Sequence, residues 1–212
     1  MPMIDADGCP IHVEVEGPPN APVLMLSNSL GTTLHMWDGQ VAPLTEHFRL
    51  LRYDRRGHGL SGVPAGPYTM EMLGRDVLAI LDALKIEKIN WCGLSMGGMV
   101  GMWLGANAPA RINRLILSNT SAYFPDKEIW NGRIKTIREK GLASIVPGTM
   151  ERWFTAEFRI GAEHLRQPRR HVGAIFQIRQ HRAIERRAGL GRGSRNRQSV
   201  NVVVHLACPP HE

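Results

Sequence analysis

Gly93-Leu94-Ser95-Met96-Gly97 is the segment of this 212-residue chain whose residue types and spacing carry the clearest chemistry. Glycines two before and two after a serine allow a turn too sharp for flanking Cβ atoms, and such a turn exposes the hydroxyl as a nucleophile. The run before it, Ile89-Asn90-Trp91-Cys92, reads as a buried strand, and the small-residue stretch Gly97 to Ala108 reads as a helix. Ser95 is therefore expected at the carboxyl end of a strand and the start of a helix, where the helix dipole favours developing negative charge. The chemistry this suits is acyl transfer: Ser95 attacks a carbonyl carbon and an oxyanion forms. A second segment, Ser27-Asn28-Ser29-Leu30-Gly31-Thr32-Thr33, follows the apolar run Val23 to Leu26. There the backbone N–H of Ser29, with that of Met96, is placed to hold the oxyanion. A plain polar turn is the alternative for this segment.

Elements that must position these residues alternate along the first part of the chain. Ile11-His12-Val13-Glu14-Val15 alternates with period two and reads as an antiparallel edge strand. Val23 to Leu26, Phe48 to Tyr53, Ile89 to Cys92 and Ile112 to Leu117 read as buried strands. Leu73, Val77, Ile80, Leu81 and Leu84 recur at helical spacing between two of them. The expected fold class is α/β, with a mostly parallel sheet covered by helices over residues 1–118. Residues 119–159 carry helical patterns at Ile129 to Leu142 and Met150 to Phe158, read as a helical cap inserted over the sheet's edge.

Composition changes sharply beyond that point. Hydrophobic residues make up 43% and charged residues 21%, which excludes wholesale disorder, and no window approaches a membrane span. The net charge of +7 lies entirely in residues 160–212, which hold ten arginines, no lysine and three glutamates. Aspartate, threonine, methionine, tryptophan and tyrosine vanish there too, as when GC-rich codons are read out of frame. This tail is expected to be poorly ordered, with a weak helix from His164 to Ala188, a Gly/Arg-rich loop at Gly189 to Arg197 and a short lone strand from Ser199 to Leu206. The sheet would then lack partner strands on one edge, leaving a marginally stable chain with a protease-sensitive tail. The arginines lack interleaved aromatics, Phe176 apart, so nucleic acid is not an expected partner. Three cysteines are too few for a disulfide framework, and Met1 to Asp5 lacks the features of a secretory signal, so the expected compartment is the cytoplasm.

Asp54-Arg55-Arg56-Gly57-His58-Gly59-Leu60-Ser61, the Ser95 turn and the loop after Leu26 together resemble the α/β-hydrolase superfamily. Leu26-Ser27-Asn28-Ser29-Leu30-Gly31-Thr32-Thr33 is similar more narrowly to the 3-oxoadipate enol-lactonases of bacterial aromatic catabolism. Gly93 to Met99 and Glu151-Arg152-Trp153-Phe154-Thr155 fit the same subfamily, and the resemblance stops near residue 159. It implies a serine hydrolase that opens a small-molecule lactone or ester without metal or organic cofactor. Neighbouring readings are a general carboxylesterase, a cofactor-free haloperoxidase, and a catalytically dead truncated family member. In the cap, Trp130, Arg133 and Trp153 are candidates to line the substrate pocket, Arg133 by gripping a carboxylate; core packing and a solvated helix face are their alternatives.

One departure matters. The family's chain order runs serine, acid, histidine, yet the only aspartate after Ser95 is Asp126. His164, His171, His181, His205 and His211 follow, but none sits after a recognisable strand and glycine turn, and their spacing suits no metal. His58 reads as a turn and packing residue rather than a general base. Activity is therefore expected to be impaired, with the acid and base unassigned.

Overall fold

The structure, a computed structural model, describes residues 3–125 and 127–158 together with the backbone of residues 201–205. Among these, β1 (Met3–Ala6), β2 (Cys9–Glu16), β3 (Val23–Ser27), β4 (Arg49–Tyr53), β5 (Ile89–Leu94), β6 (Ile112–Ser118) and β7 (Asn201–His205) form one sheet. The order is β1-β2-β4-β3-β5-β6-β7. The β2 pairings with β1 and β4 are antiparallel, and every other pairing is parallel. The α/β class read from the sequence is what the chain adopts.

Two strand readings need correction. The strand around Ile11 to Val15 is not at the edge, because β1 pairs outside it, Met3 to Ala6 against His12 to Cys9. Asp7 and Gly8 turn the chain with positive φ of 53° and 77°, the conformation of a tight hairpin whose twist matches the flanking strands. Nor is the strand near residue 202 alone: β7 runs parallel to β6, with Arg114 to Ser118 opposite Asn201 to His205. The β6 edge expected to lack a partner is therefore paired, its backbone groups taken up by a β-branched run well suited to a pleated surface. The helix expected from His164 to Ala188, the loop from Gly189 to Arg197 and the frame-shift reading of the tail lie outside the described residues.

Helices cover both faces. On one, α2 (Met70–Ala83) and α3 (Met96–Asn107) pack Leu73, Val77, Ile80, Leu81, Val100 and Leu104 against Met25, Leu51, Tyr53 and Trp91 of the strands. Thr69 caps α2, its hydroxyl accepting the Met72 N–H at 3.1 Å. On the other face, Met36 and Trp37, in a 3₁₀ turn, cover Leu24, Leu26, Leu50 and Cys92 beside α1 (Asp38–Thr45). The sequence reading passes over both the 3₁₀ turn and α1. From β3 the chain moves to β4 on one side, then returns to β5 on the other. The loops leaving β3 and β5 therefore flank a topological switch point, where open α/β sheets form their crevices.

The described residues between Tyr123 and Phe158 form a second compact unit. It contains α4 (Lys127–Lys140), a 3₁₀ turn at Leu142–Ile145 and α5 (Val146–Trp153). Expected as one helix to Leu142, the first stops at Lys140, because Gly141 turns the chain at φ 80°. The second is shifted toward the N-terminus and ends before Phe154, which stacks on Phe158 with ring centres 5.0 Å apart. No described helix is long and apolar enough to cross a membrane.

Candidate active site

Ser95 adopts φ 54° and ψ −115° between β5 and α3. A non-glycine residue held there is strained, and such strain persists only when the surroundings over-determine it. They do so here from three directions. The Ser95 N–H donates to the Ser118 carbonyl of β6 at 2.9 Å. A Cβ on Gly93 would overlap the Gly97 backbone, and one on Gly97 would overlap the Ser27 backbone. A Cβ on Gly98 would meet the Thr120 side chain at 2.6 Å. The glycine spacing seen in the sequence is thus a packing requirement: β5, α3 and β3 approach one another through the places where side chains are missing.

The same approach brings the two expected oxyanion elements together. The Gly97 N–H donates to the Asn28 carbonyl at 3.1 Å, so the residues beside this pair, Met96 and Ser29, lie on adjoining segments. The Met96 N–H, first in α3, has no acceptor among the described residues. Among the described residues the Ser29 N–H meets the Met36 thioether sulfur, at 3.5 Å, a weak acceptor. Asn28 is buried and held on both ends of its amide: Oδ1 accepts from Trp37 Nε1 at 3.0 Å, and Nδ2 donates to the Tyr53 carbonyl at 3.2 Å. Ser27 Oγ shares a hydrogen bond of 2.9 Å with the Tyr53 hydroxyl, whose pKa burial pushes up to about 12.

The loop after β4 braces this arrangement, a role the sequence reading passes over. Asp54 is buried, its Oδ1 accepting the Leu34 N–H at 2.8 Å and its Oδ2 the Leu60 N–H at 3.1 Å, with His12 Nδ1 3.0 Å away. Gly59, at φ 51°, leaves no room for a Cβ beside that carboxylate. Arg55 is buried, and its guanidinium donates to the carbonyls of Asn28 and Ser29, the latter at 2.7 Å. Arg56 instead forks onto Asp76 of α2, Nε to Oδ2 at 2.7 Å. The available signal was a run of three charged residues entering a glycine-rich turn directly after a strand.

His58 is a clasp rather than a base. Its Nδ1 lies 3.2 Å from the Arg56 carbonyl, which only accepts, and its Nε2 lies 3.1 Å from the Gly31 N–H, which only donates. Both contacts hold only for the neutral ring carrying its proton on Nδ1. Burial first, and the nearby Arg55 charge second, lower its pKa below the ordinary imidazole value of 6.5. The folded chain therefore binds this proton less readily than the unfolded one. Stability from His58 is complete above the unfolded value and is lost as pH falls through the lowered folded one. Urea midpoints below about pH 6 are expected to fall more steeply for the natural chain than for His58→Gln. Parallel profiles would contradict the clasp.

The three candidate pocket residues all lie in the second unit. Trp130 packs edge-on against Phe124 with ring centres 5.8 Å apart, and the Arg133 guanidinium sits 4.9 Å from its ring centre. Burial, then the Arg152 charge, lower the Arg133 pKa. Trp153 is exposed at the end of α5. Of the five late histidines only His205 falls among the described residues, at the end of β7 and in register with Ser118. Among the histidines whose side chains are described, none of the hydrogen bonds made by His12, His35 or His58 reaches the Ser95 hydroxyl.

Comparison with known proteins adds to this geometry. A family model described as the alpha/beta hydrolase fold matches residues 22–169, ten residues beyond the point near 159 where the motif resemblance stops. A 3-oxoadipate enol-lactonase of Acinetobacter baylyi is 44% identical over 142 residues, covering 67% of this chain and 53% of that protein. A second from the same organism is 43% identical over 160 residues, covering 76% and 60%. The crystal structure of the enol-lactonase from Burkholderia xenovorans LB400 aligns with a TM-score of 0.76 at 44% identity, covering 81% of this chain and 67% of that one. A hydrolase from Pseudomonas aeruginosa PA01 aligns at 0.72 with 43% identity, covering 81% and 64%. The matched part of the chain spans little more than half the length of these curated relatives.

Proposed function

From its membership of the α/β-hydrolase fold family, we propose that this chain acts as a serine hydrolase on 3-oxoadipate enol-lactone, with Ser95 as nucleophile. The carrying observation is the strained Ser95 backbone at the β5–α3 turn, docked through Gly97 onto the segment that presents Ser29. The likeness to enol-lactonases from two bacterial sources supports the choice of substrate and a place in aromatic catabolism in the cytoplasm.

In this reading Ser95 Oγ adds to the lactone carbonyl carbon and passes its proton to water. The Ser29 and Met96 N–H groups hold the oxyanion. Collapse breaks the ring C–O bond, and the released enolate takes up a proton and becomes the ketone. Water then adds to the acyl-serine ester, freeing 3-oxoadipate and restoring the hydroxyl. The substrate's carboxylate matches Arg133, which we assign to binding with Trp130 and Trp153. No metal or organic cofactor enters any step.

We propose also that turnover is slow. A serine without a paired base is a weak nucleophile, and of the histidines with described side chains none of His12, His35 and His58 bonds to Ser95. An oxyanion hole and binding alone retain part of the rate over water. Loss of enol-lactone absorbance is expected to proceed above the buffer rate yet below the usual enzymatic range of about 1–10³ per second. A rate inside that range would overturn the impairment and leave the serine reading intact; His205, at the end of β7, would then be the first histidine to replace. No turnover of the lactone or of aryl esters, with no labelling by a serine-directed phosphonate, would overturn the hydrolase reading. Ester turnover without lactone turnover would point instead to a general carboxylesterase.

A further inference from the structure

The two proposed oxyanion donors belong to peptide units whose other ends are unusually well held. A peptide is planar and trans, so whatever fixes its carbonyl also fixes the direction of its N–H. The Ser29 N–H shares its unit with the Asn28 carbonyl, which accepts from Gly97 N–H at 3.1 Å and from the Arg55 guanidinium. The Met96 N–H shares its unit with the Ser95 carbonyl. That oxygen accepts from Thr120 Oγ1 at 2.7 Å, Gly98 N–H at 2.9 Å and Met99 N–H at 3.1 Å.

Arg55 stands out among the charged residues here. It is 1% exposed, and among the described residues it makes no ion pair with a carboxylate and its Nε has no hydrogen-bond partner. Arg52 and Arg56, its neighbours on the chain, both meet carboxylates. Burial pushes the Arg55 pKa down, and although the Asp54 charge acts on it from beyond contact distance, burying a cation with no carboxylate in contact is costly. Two neutral carbonyls do not require a full positive charge to satisfy them. Such an expense is intelligible where the charge acts on something else.

We propose that Arg55 and Thr120 are positioning residues for the oxyanion hole, each clamping the carbonyl end of the peptide whose N–H meets the developing charge. This rests on the reading of Ser95 as nucleophile. Arg55 has a second effect. Its charge draws electron density from the Asn28 carbonyl, which strengthens the Ser29 N–H as a donor. It also stands as a fixed cation, shielded from water, one peptide unit behind the oxyanion. Thr120 supplies the same clamp without charge.

The test uses the whole chain and an alkyl p-nitrophenyl phosphonate. In labelling, the Ser95 Oγ–P bond forms, the P–O(aryl) bond breaks, p-nitrophenolate departs with the electron pair, and the serine proton passes to water. The maximal labelling rate and the half-saturating concentration are measured separately. Arg55→Met and Thr120→Val are each expected to lower the maximal rate about 100-fold while half-saturation stays within about 3-fold. Arg55→Lys, which keeps the charge, and Thr120→Ser, which keeps the hydroxyl, are expected to recover at least about a tenth of the natural rate. A merely structural role would move the unfolding midpoint without this split or this rescue. Folded Met and Val variants that label at the natural rate, or Lys and Ser variants no faster than them, would overturn the proposal. Should Arg55→Met not fold, the Thr120 pair decides by the same criteria. A natural chain that takes no label overturns instead the reading of Ser95 on which the proposal rests.

Discussion

Ser95→Ala is expected to reduce lactone and ester turnover to the buffer rate and to abolish phosphonate labelling, with little change in the urea midpoint. The hydroxyl is the only group at the β5–α3 turn proposed to form a covalent bond, so its loss leaves binding and oxyanion donors with nothing to attack the carbonyl. Ser61→Ala is the comparison. Ser61 is also buried, its Oγ donating to the Asp54 carbonyl at 2.6 Å and accepting the His12 N–H at 2.8 Å. Its removal is expected to lower stability by about 1–2 kcal/mol, the cost of leaving buried partners unmet, and to leave labelling intact. Equal labelling of both variants would show that the Ser95 hydroxyl is not the activated one.

Gly97→Ala is expected to produce the largest stability loss, about 3 kcal/mol, at the upper end of what overpacking costs. The added Cβ would fall on the Ser27 carbonyl group, which is backbone of the central strand β3, paired on both sides, rather than the end of a flexible side chain. Displacing α3 would also break the Gly97 N–H bond to Asn28, separating the segments of Met96 and Ser29. Both the urea midpoint and the labelling rate should fall together. Gly132→Ala, in α4, meets nothing within 4 Å and should instead gain up to about 1 kcal/mol from helix propensity. If Gly97→Ala unfolds at the midpoint of the natural chain, the close approach of α3 to β3 is not what shapes the site.

Much of this arrangement is legible before any coordinates, for physical reasons that differ by element. The Ser95 turn is legible because its geometry demands glycines at fixed offsets, and the apolar runs of β3 to β6 are legible because parallel strands are buried on both faces. The hairpin of β1 with β2 escapes notice because Met3 to Ala6 is short, although Asp7-Gly8 is the kind of dipeptide that turns one. Pairing of β7 with β6 depends on a contact across more than 80 positions, which no local pattern reports. Arg55 is the most instructive case. A cation in a glycine-rich loop reads as solvated, and only the folding of that loop beneath the Asn28–Ser29 segment turns it into a buried donor. His58 follows the same logic: its role as a clasp depends on Gly31, 27 positions away.

The most direct test of the central claim is to label the whole chain to completion with a serine-directed phosphonate, digest it and locate the adduct by mass spectrometry. One adduct per chain is predicted, on the peptide containing Gly93-Leu94-Ser95-Met96-Gly97 and fragmenting to Ser95 itself. An adduct on another residue, or none after prolonged exposure, would contradict the assignment of Ser95 as the nucleophile.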